Sequence, residues 1–374
     1  MMIYLDNAAT SIRKPAGVYK ELFKNTLFSS FNAGRGMYKK SIDAVLNVMD
    51  TRESIAQLFN VQDPMQIAFT QNATYALNFL ISGFLKPEDH VVITGVEHNS
   101  VLRPVHRHQN YTIVKADKKG NVRSSDIEKA FLDNTKLVIS THASNVSGSI
   151  EPIAKIAEAA KKHNVRFLVD AAQTAGIVDI DVKKMNIDML AFSGHKGLMG
   201  PLGTGGLYVS KKIELNPMIV GGTGSMSESL TQPAIMPDML QSGTQNTPAI
   251  IALKKGVDFV KEHRGEIFEK EKAFAVEFID GLLNIKGVTV YGNVAINRNG
   301  TVAFNIEKKD CIEVASCLEE EYNILVRSGF HCSPLAHRSL GTEKTGCVRA
   351  SFGFFNTSND VKKAIFAINR ICNK

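Results

Sequence analysis

Residues 39–59 place Ile42, Val45, Leu46, Met49, Ile55, Leu58 and Phe59 at near-helical spacing, which predicts one amphipathic helix. After it, short apolar runs alternate with longer helical patterns. Strands are predicted at 66–70, 91–95, 112–115, 137–141, 167–170, 189–193 and 206–209, with helices at 74–84, 124–132 and 153–163 between them. That alternation indicates an α/β fold with a mainly parallel sheet. Ligands of such sheets bind outside the carboxyl ends of the strands, so the residues that follow each strand are the ones to inspect.

From about residue 250 the pattern changes. Helical stretches at 250–263 and 266–284 precede strands at 288–291 and 301–306, a helix at 311–322, strands at 324–327 and 348–351, and a last helix at 359–372. This is the outline of a smaller α+β unit. The expected division is a large domain of residues 15–255 and a small domain of residues 256–374 joined by residues 1–14, since 374 residues exceed what one core usually serves. The segment 221–243, rich in Gly, Ser, Met and Pro, reads as a long loop of the kind that is usually functional or disordered.

Composition narrows the function classes. Lys and Arg (44) exceed Asp and Glu (37) by seven, but the surplus is scattered in lysine pairs rather than gathered in a stripe. A nucleic-acid partner is therefore not expected, while a small anionic ligand stays open. With 44% hydrophobic and 22% charged residues, disorder, collagen-like repeats and coiled coil are excluded. No apolar run reaches the roughly 18 to 20 residues of a membrane span. The N-terminal residues lack the pattern of a secretion leader, so no membrane association and a cytoplasmic location are the expectation. The five cysteines (Cys311, Cys317, Cys332, Cys347, Cys372) are odd in number and lack CxxC spacing, which argues against a disulfide framework or a metal site.

The strand ends carry the chemistry. Ala191-Phe192-Ser193-Gly194-His195-Lys196 follows an apolar strand and opens a Gly-rich stretch. A desolvated lysine there can form a Schiff base with an aldehyde, although a lone loop lysine reads first as solvated surface. One strand earlier, Asp170 ends the apolar run 167–170. Alone it reads as a helix cap; beside a Schiff-base lysine it reads as the carboxylate that keeps a pyridinium nitrogen protonated. Glu97-His98 and Ser144-Asn145 close two further strands, and Thr70 to Thr74 turns from strand into helix, where free N–H groups and the macrodipole suit a phosphate.

The ordered set Tyr4-Leu5-Asp6-Asn7-Ala8-Ala9-Thr10, Thr70…Ala73-Thr74, Glu97-His98, Asn145, Asp170-Ala171-Ala172-Gln173, Ser193-Gly194-His195-Lys196, Gly243-Thr244, Cys332 and Arg349 resembles the class V aminotransferase family, in its cysteine desulfurase and selenocysteine lyase branch. The resemblance runs from residue 3 to about 370. It implies a fold-type I pyridoxal 5'-phosphate enzyme and a homodimer. Lys196 would bind the cofactor covalently, Asp170 would pair with its ring nitrogen, His98 would stack on the ring and Gln173 would contact the ring hydroxyl. Ala73, Thr74, Ser193 and His195 would hold the phosphate, and Thr244 would reach the phosphate of the neighbouring subunit. Asn145 and Arg349 would receive the substrate, Arg349 gripping the α-carboxylate bidentately.

In this reading the catalytic residues are Lys196, Cys332 and His98. L-cysteine would yield L-alanine, and its sulfur would pass to Cys332, whose thiolate is favoured by the nearby His331 and Arg327. A sulfur-acceptor protein is a possible further partner. L-selenocysteine as substrate, another class V chemistry, or a scaffold role in sulfur trafficking are the alternatives. Phe330 stands where the branch usually has a second His, and Arg35-Gly36-Met37-Tyr38 replaces a His-containing stretch. Cys311, Cys317, Cys347 and Cys372 read as structural, and His331, His337 and His106 as incidental.

Overall fold

A computed structural model describes residues 2–34, 36–292 and 297–374; Arg35 of the departing N-terminal stretch lies outside the described residues. The chain opens with β1 (Ile3–Tyr4), α1 (Ala16–Phe28) and α2 (Lys39–Phe59), followed by β2 (Ile67–Thr70), α3 (Ala73–Phe84), β3 (His90–Thr94), α4 (Asn99–His108) and β4 (Tyr111–Val114). Next come α5 (Ser124–Lys129), β5 (Thr135–Thr141), α6 (Ile153–Lys162), β6 (Arg166–Asp170), β7 (Met189–Ser193), β8 (Gly205–Val209) and α7 (Thr247–Glu262). The last part holds α8 (Glu266–Leu283), β9 (Val288–Tyr291), β10 (Thr301–Ile306), α9 (Cys311–Tyr322), β11 (Ile324–Leu325), β12 (Arg327–Gly329), α10 (Pro334–Leu340), β13 (Cys347–Ser351) and α11 (Ser358–Cys372).

Seven strands form the main sheet in the order β2-β8-β7-β6-β5-β3-β4. From β7 to β4 the pairings are parallel, while β8 runs antiparallel to both its neighbours, so the sheet is mixed and mostly parallel, as expected. Both faces are covered, which is why β3, β6 and β7 are almost unbroken apolar runs. On one face Val92, Val138, Phe167 and Phe192 pack with α2, α6 and α7; on the other Ile93, Ile139 and Leu168 pack with α3 and α4. Truncating the fully buried Phe192 to Ala would cost about 3–5 kcal/mol.

The smaller sheet, β12-β13-β10-β9, is antiparallel and carries its own core of Phe278, Val302, Phe304, Val348 and Ile368 under α8, α9 and α11. The N-terminal strand β1 pairs with β11, and Asp6 bridges to Ser351, so the first residues join this unit. The expected division at residue 255 falls inside α7, whose Val257 and Val260 belong to the larger core. Residues 221–243 form bends and one short 3-10 turn, Asp238–Leu240. The periodicity reading left out α1, α4 and α10. No helix among the described residues is long and apolar enough to cross a membrane.

Candidate active site

Asp170 is the last residue of β6 and is 3% exposed. One carboxylate oxygen accepts the Ala172 N–H at 2.9 Å; the other has no donor among the described residues. Burial pushes this carboxyl above its ordinary value, against the pull of the Ala172 bond and the Lys196 charge. From the end of β7 the chain turns at Gly194, where a Cβ would lie 2.2 Å from Thr204 Oγ1, and so presents His195 and Lys196 beside Asp170. The Lys196 amine makes no hydrogen bond among the described residues. Desolvation lowers it to about 8; Asp170 pulls it back up, and Arg349 and Arg327 push it further down. A neutral amine is thus within reach near pH 8.

A second set of groups surrounds the start of α3. The N–H groups of Ala73 and Thr74 lie in its first turn and have no acceptor among the described residues, as helix starts require. Thr74 Oγ1 lies 2.8 Å from Ser100 Oγ, which lies 2.9 Å from His98 Nδ1. That nitrogen also accepts the Ser100 N–H at 3.1 Å, so the His98 ring is an acceptor there and carries its proton on Nε2. Burial first, then the Lys196, Arg327 and Arg349 charges, lower His98 to about 4 and keep the ring neutral. Ser193 is buried, and its hydroxyl has no partner among the described residues. His195 Nδ1 meets Thr10 Oγ1 at 3.0 Å, which leaves Nε2 open, and burial lowers it to about 4 as well. Gln173 donates from Nε2 to the Ala8 carbonyl at 3.0 Å. A buried acid with a spare oxygen, an unpartnered amine and a cluster of open donors at a helix start fit a phosphorylated pyridine aldehyde.

The smaller sheet delivers the thiol. Antiparallel pairing of β12 with β13 sets Arg327 opposite Arg349. Arg349 is 1% exposed; it forms an ion pair with Asp6, donates from Nη1 to the Asn145 carbonyl at 3.0 Å, and leaves Nε without a partner among the described residues. The fork that the resemblance assigns to a substrate carboxylate is therefore half engaged by Asp6. Asn145 is buried and holds both flanks of Cys332: Nδ2 donates to the His331 carbonyl at 2.8 Å, and Oδ1 accepts the Ser333 hydroxyl at 2.6 Å. The Cys332 carbonyl accepts the N–H of Asn99, the residue after His98, at 2.7 Å. Its exposed Sγ lies 3.7 Å from Arg327 Nη2.

Two sequence expectations change here. The His331 ring faces the interior, where it meets the Arg327 carbonyl and His337, so of the two neighbours proposed for the thiol it is Arg327 that contacts it. His331 and His337, read as incidental, are buried and have ordered partners. Thr244 lies exposed outside this set, 3.5 Å from Asn32 Nδ2, in a groove with Thr70, Asn72 and His195. Sequence reasoning missed Lys14, whose amine bonds the Ser11 and His195 carbonyls at 2.7 and 3.0 Å and is lowered by burial to about 8. It also missed Ser100 as the link between Thr74 and His98. Ser100 stands two residues after His98 and was findable; Lys14, an isolated loop lysine, carried no pattern.

Residues 3–364 match the family model described as aminotransferase class-V. A probable cysteine desulfurase of Methanothermobacter thermautotrophicus is 33% identical over 96% of this chain and 92% of its own length. One from Pyrococcus abyssi is likewise 33% identical over 96% of this chain and 92% of its own length. Among solved structures, the apo cysteine desulfurase of Thermococcus onnurineus superposes with a TM-score of 0.93 at 32% identity, covering 100% of this chain and 95% of that one. Strand-end residues, fold and relatives agree, and the chain belongs to the class-V aminotransferase family.

Proposed function

We propose that the protein is a pyridoxal 5'-phosphate-dependent cysteine desulfurase that converts L-cysteine to L-alanine and takes the sulfur onto Cys332. The observation that carries this reading is the Asn99–Cys332 hydrogen bond, which brings an exposed thiol from the smaller sheet to the strand ends that hold His98, Asp170 and Lys196. The naming of the relatives above as cysteine desulfurases supports it.

When bound, the cofactor supplies an electron sink for charge developing at the substrate Cα. Lys196 would hold it, Asp170 would face its ring nitrogen, and the neutral His98 ring would cover one face. Gln173 would meet the ring hydroxyl; Ala73, Thr74, Ser193 and His195 would hold the phosphate. The Lys196 amine, lowered to about 8, takes the Cα proton near neutral pH. Arg349 exchanges its bond to Asp6 for the substrate carboxylate, with Asn145 beside it. The Cys332 thiolate, next to the Arg327 guanidinium, attacks the substrate sulfur. One S–S bond forms and the Cβ–S bond breaks; the carbon fragment takes one proton at Cβ, equivalent to the one given up by the thiols, regains one at Cα from Lys196, and leaves as alanine. Cys332 keeps the sulfur as a persulfide, for transfer to an acceptor thiol or acceptor protein.

The reading extends to a homodimer. Phe23, Phe28 and Met37 on or beside α1 and α2 are 66, 70 and 93% exposed, and Leu230 in the 221–243 segment is fully exposed. A second copy covering this apolar surface would bring Thr244 toward a neighbouring phosphate site. Five free thiols suit a reducing, cytoplasmic setting.

The decisive experiment incubates the holoenzyme with L-cysteine, quantifies alanine, and looks for one added sulfur on the Cys332 peptide by mass spectrometry. Cys332→Ala should abolish alanine formation; full cysteine turnover by that variant would sink the mechanism. Turnover of L-selenocysteine but not of L-cysteine by Cys332→Ala would favour a selenocysteine lyase.

A further inference from the structure

Behind the Cys332 loop lies a chain of buried polar groups that the proposed reaction does not use. His331 and His337 are 2% and 0% exposed. Their rings are nearly parallel, 9° apart, with centroids separated by 5.5 Å, yet His331 Nδ1 and His337 Nε2 are 3.3 Å apart. A centroid spacing so much longer than the N···N gap means that the rings meet edge to edge, nitrogen facing nitrogen. On the far side, His337 Nδ1 lies 2.8 Å from Thr342 Oγ1; on the near side, His331 Nε2 lies 3.3 Å from the Arg327 carbonyl.

The Arg327 carbonyl sets the direction of the chain at its near end; at the far end the Thr342 hydroxyl also has the His337 carbonyl 3.5 Å away. A carbonyl only accepts, so His331 Nε2 carries the hydrogen and, in a neutral ring, Nδ1 accepts. His337 Nε2 is then the donor to it, and His337 Nδ1 accepts the Thr342 hydroxyl. Burial lowers both rings, His331 to about 2, so each is neutral with a single proton, as this one-way chain requires.

The chain ends where geometry is hardest to keep. His331 and Cys332 have φ of 51° and 56°, left-handed values that non-glycine residues adopt only when the surroundings hold them. The bond to the Arg327 carbonyl also fixes the residue whose guanidinium stands 3.7 Å from the thiol.

We infer that His337 is a positioning residue: through His331 it holds the backbone of Cys332 and Arg327, and so aims the thiol at the substrate sulfur. This rests on Cys332 being the sulfur acceptor proposed above. Cys347 Sγ is 4.0 Å from His331 Nδ1, and the three side chains offer ligand-type atoms within 4.8 Å of one another. Rings that aim their nitrogens at each other do not converge on the shared point that a tetrahedral zinc needs, so hydrogen bonding is the reading that fits.

The test compares holoenzyme forms of wild type, His337→Leu, which removes the donor, and His337→Gln, whose amide restores a donor near the Nε2 position. For His337→Leu, kcat for alanine formation should fall by on the order of tenfold to a hundredfold, with KM and bound cofactor unchanged. His337→Gln should recover most of it. Unchanged kcat in His337→Leu, or equal loss in both variants, would overturn the inference. If His337→Leu does not fold, Thr342→Val decides: a smaller fall in kcat at constant KM supports the chain, and full activity overturns it. One equivalent of zinc in the wild type that is lost in His337→Leu would replace the hydrogen-bond chain by a metal site. A wild type with no cysteine turnover overturns the desulfurase reading itself, whereas an active wild type with an unaffected variant overturns only the role of His337.

Discussion

Replacing Lys196 by Met in the cofactor-free protein should stabilise it, by an amount that depends on pH. The folded chain holds this amine at about 8 instead of 10.5, chiefly by desolvation. At about 1.4 kcal/mol per tenfold, that gap opposes folding by about 3 kcal/mol. The opposition is complete below about pH 8, where the unfolded chain and the folded protein both carry the charge and only the folded one keeps it desolvated. It shrinks as pH rises from 8 toward 10.5, because the folded amine has then lost its proton. The attraction to Asp170 that Lys196→Met removes is already part of the shift to about 8 and fades with the same proton. The pH slope therefore reports Lys196 alone. With about 2.1 cal/mol/K per residue over 374 residues, 3 kcal/mol corresponds to about 4 °C in Tm. Thermal melts of both cofactor-free proteins from pH 7 to 10.5 should show the variant's advantage greatest at pH 7 and fading toward pH 10.5. A difference that does not change over that range would refute the desolvated amine, and with it the reason for this lysine's reactivity.

Other perturbations probe the surrounding groups. Asp6→Ala leaves the buried Arg349 charge without its carboxylate, which should cost about 3–5 kcal/mol and lower Tm; added L-alanine, whose carboxylate can take the vacated place, should restore part of the loss. Glu271 is a buried acid raised by burial to about 8. Its contribution works against folding as pH climbs from about 4.5 to 8, so Glu271→Gln should gain on wild type across that interval and hold a constant lead above it; parallel melting curves from pH 5 to 9 would refute this.

Much of the main sheet was legible because its strands are buried on both faces and so read as apolar runs punctuated by polar strand ends. Residues 189–193 and 39–59 coincide with β7 and α2 for this reason. α10 was not legible: seven residues long, it holds two basic residues in its last turn, and its His337 is buried by a hydrogen-bonded partner rather than by an apolar stripe. α4, with a Pro and two His among ten residues, hid in the same way. In the candidate site, Asp170, Lys196 and His98 could be picked out because Asp170 ends a strand and the other two stand in the short turns that follow one. What periodicity could not convey is pairing across distant segments. That Asp6 would meet Arg349 across some 340 residues, or that Asn145 would use its amide on the loop around Cys332, depends on two sheets meeting.

That last contact bears on how such enzymes could be recombined. Cys332, the proposed sulfur acceptor, sits on the smaller unit, but it is aimed by bonds whose other ends, Asn99 and Asn145, are rooted in the larger one. The bond from Asn99 uses main chain and would survive exchange with a relative. The two from Asn145 need this side chain. A chimaera that sets residues 256–374 of this chain on the larger unit of another family member would therefore carry a nucleophile without its sights, unless that larger unit keeps an amide at position 145.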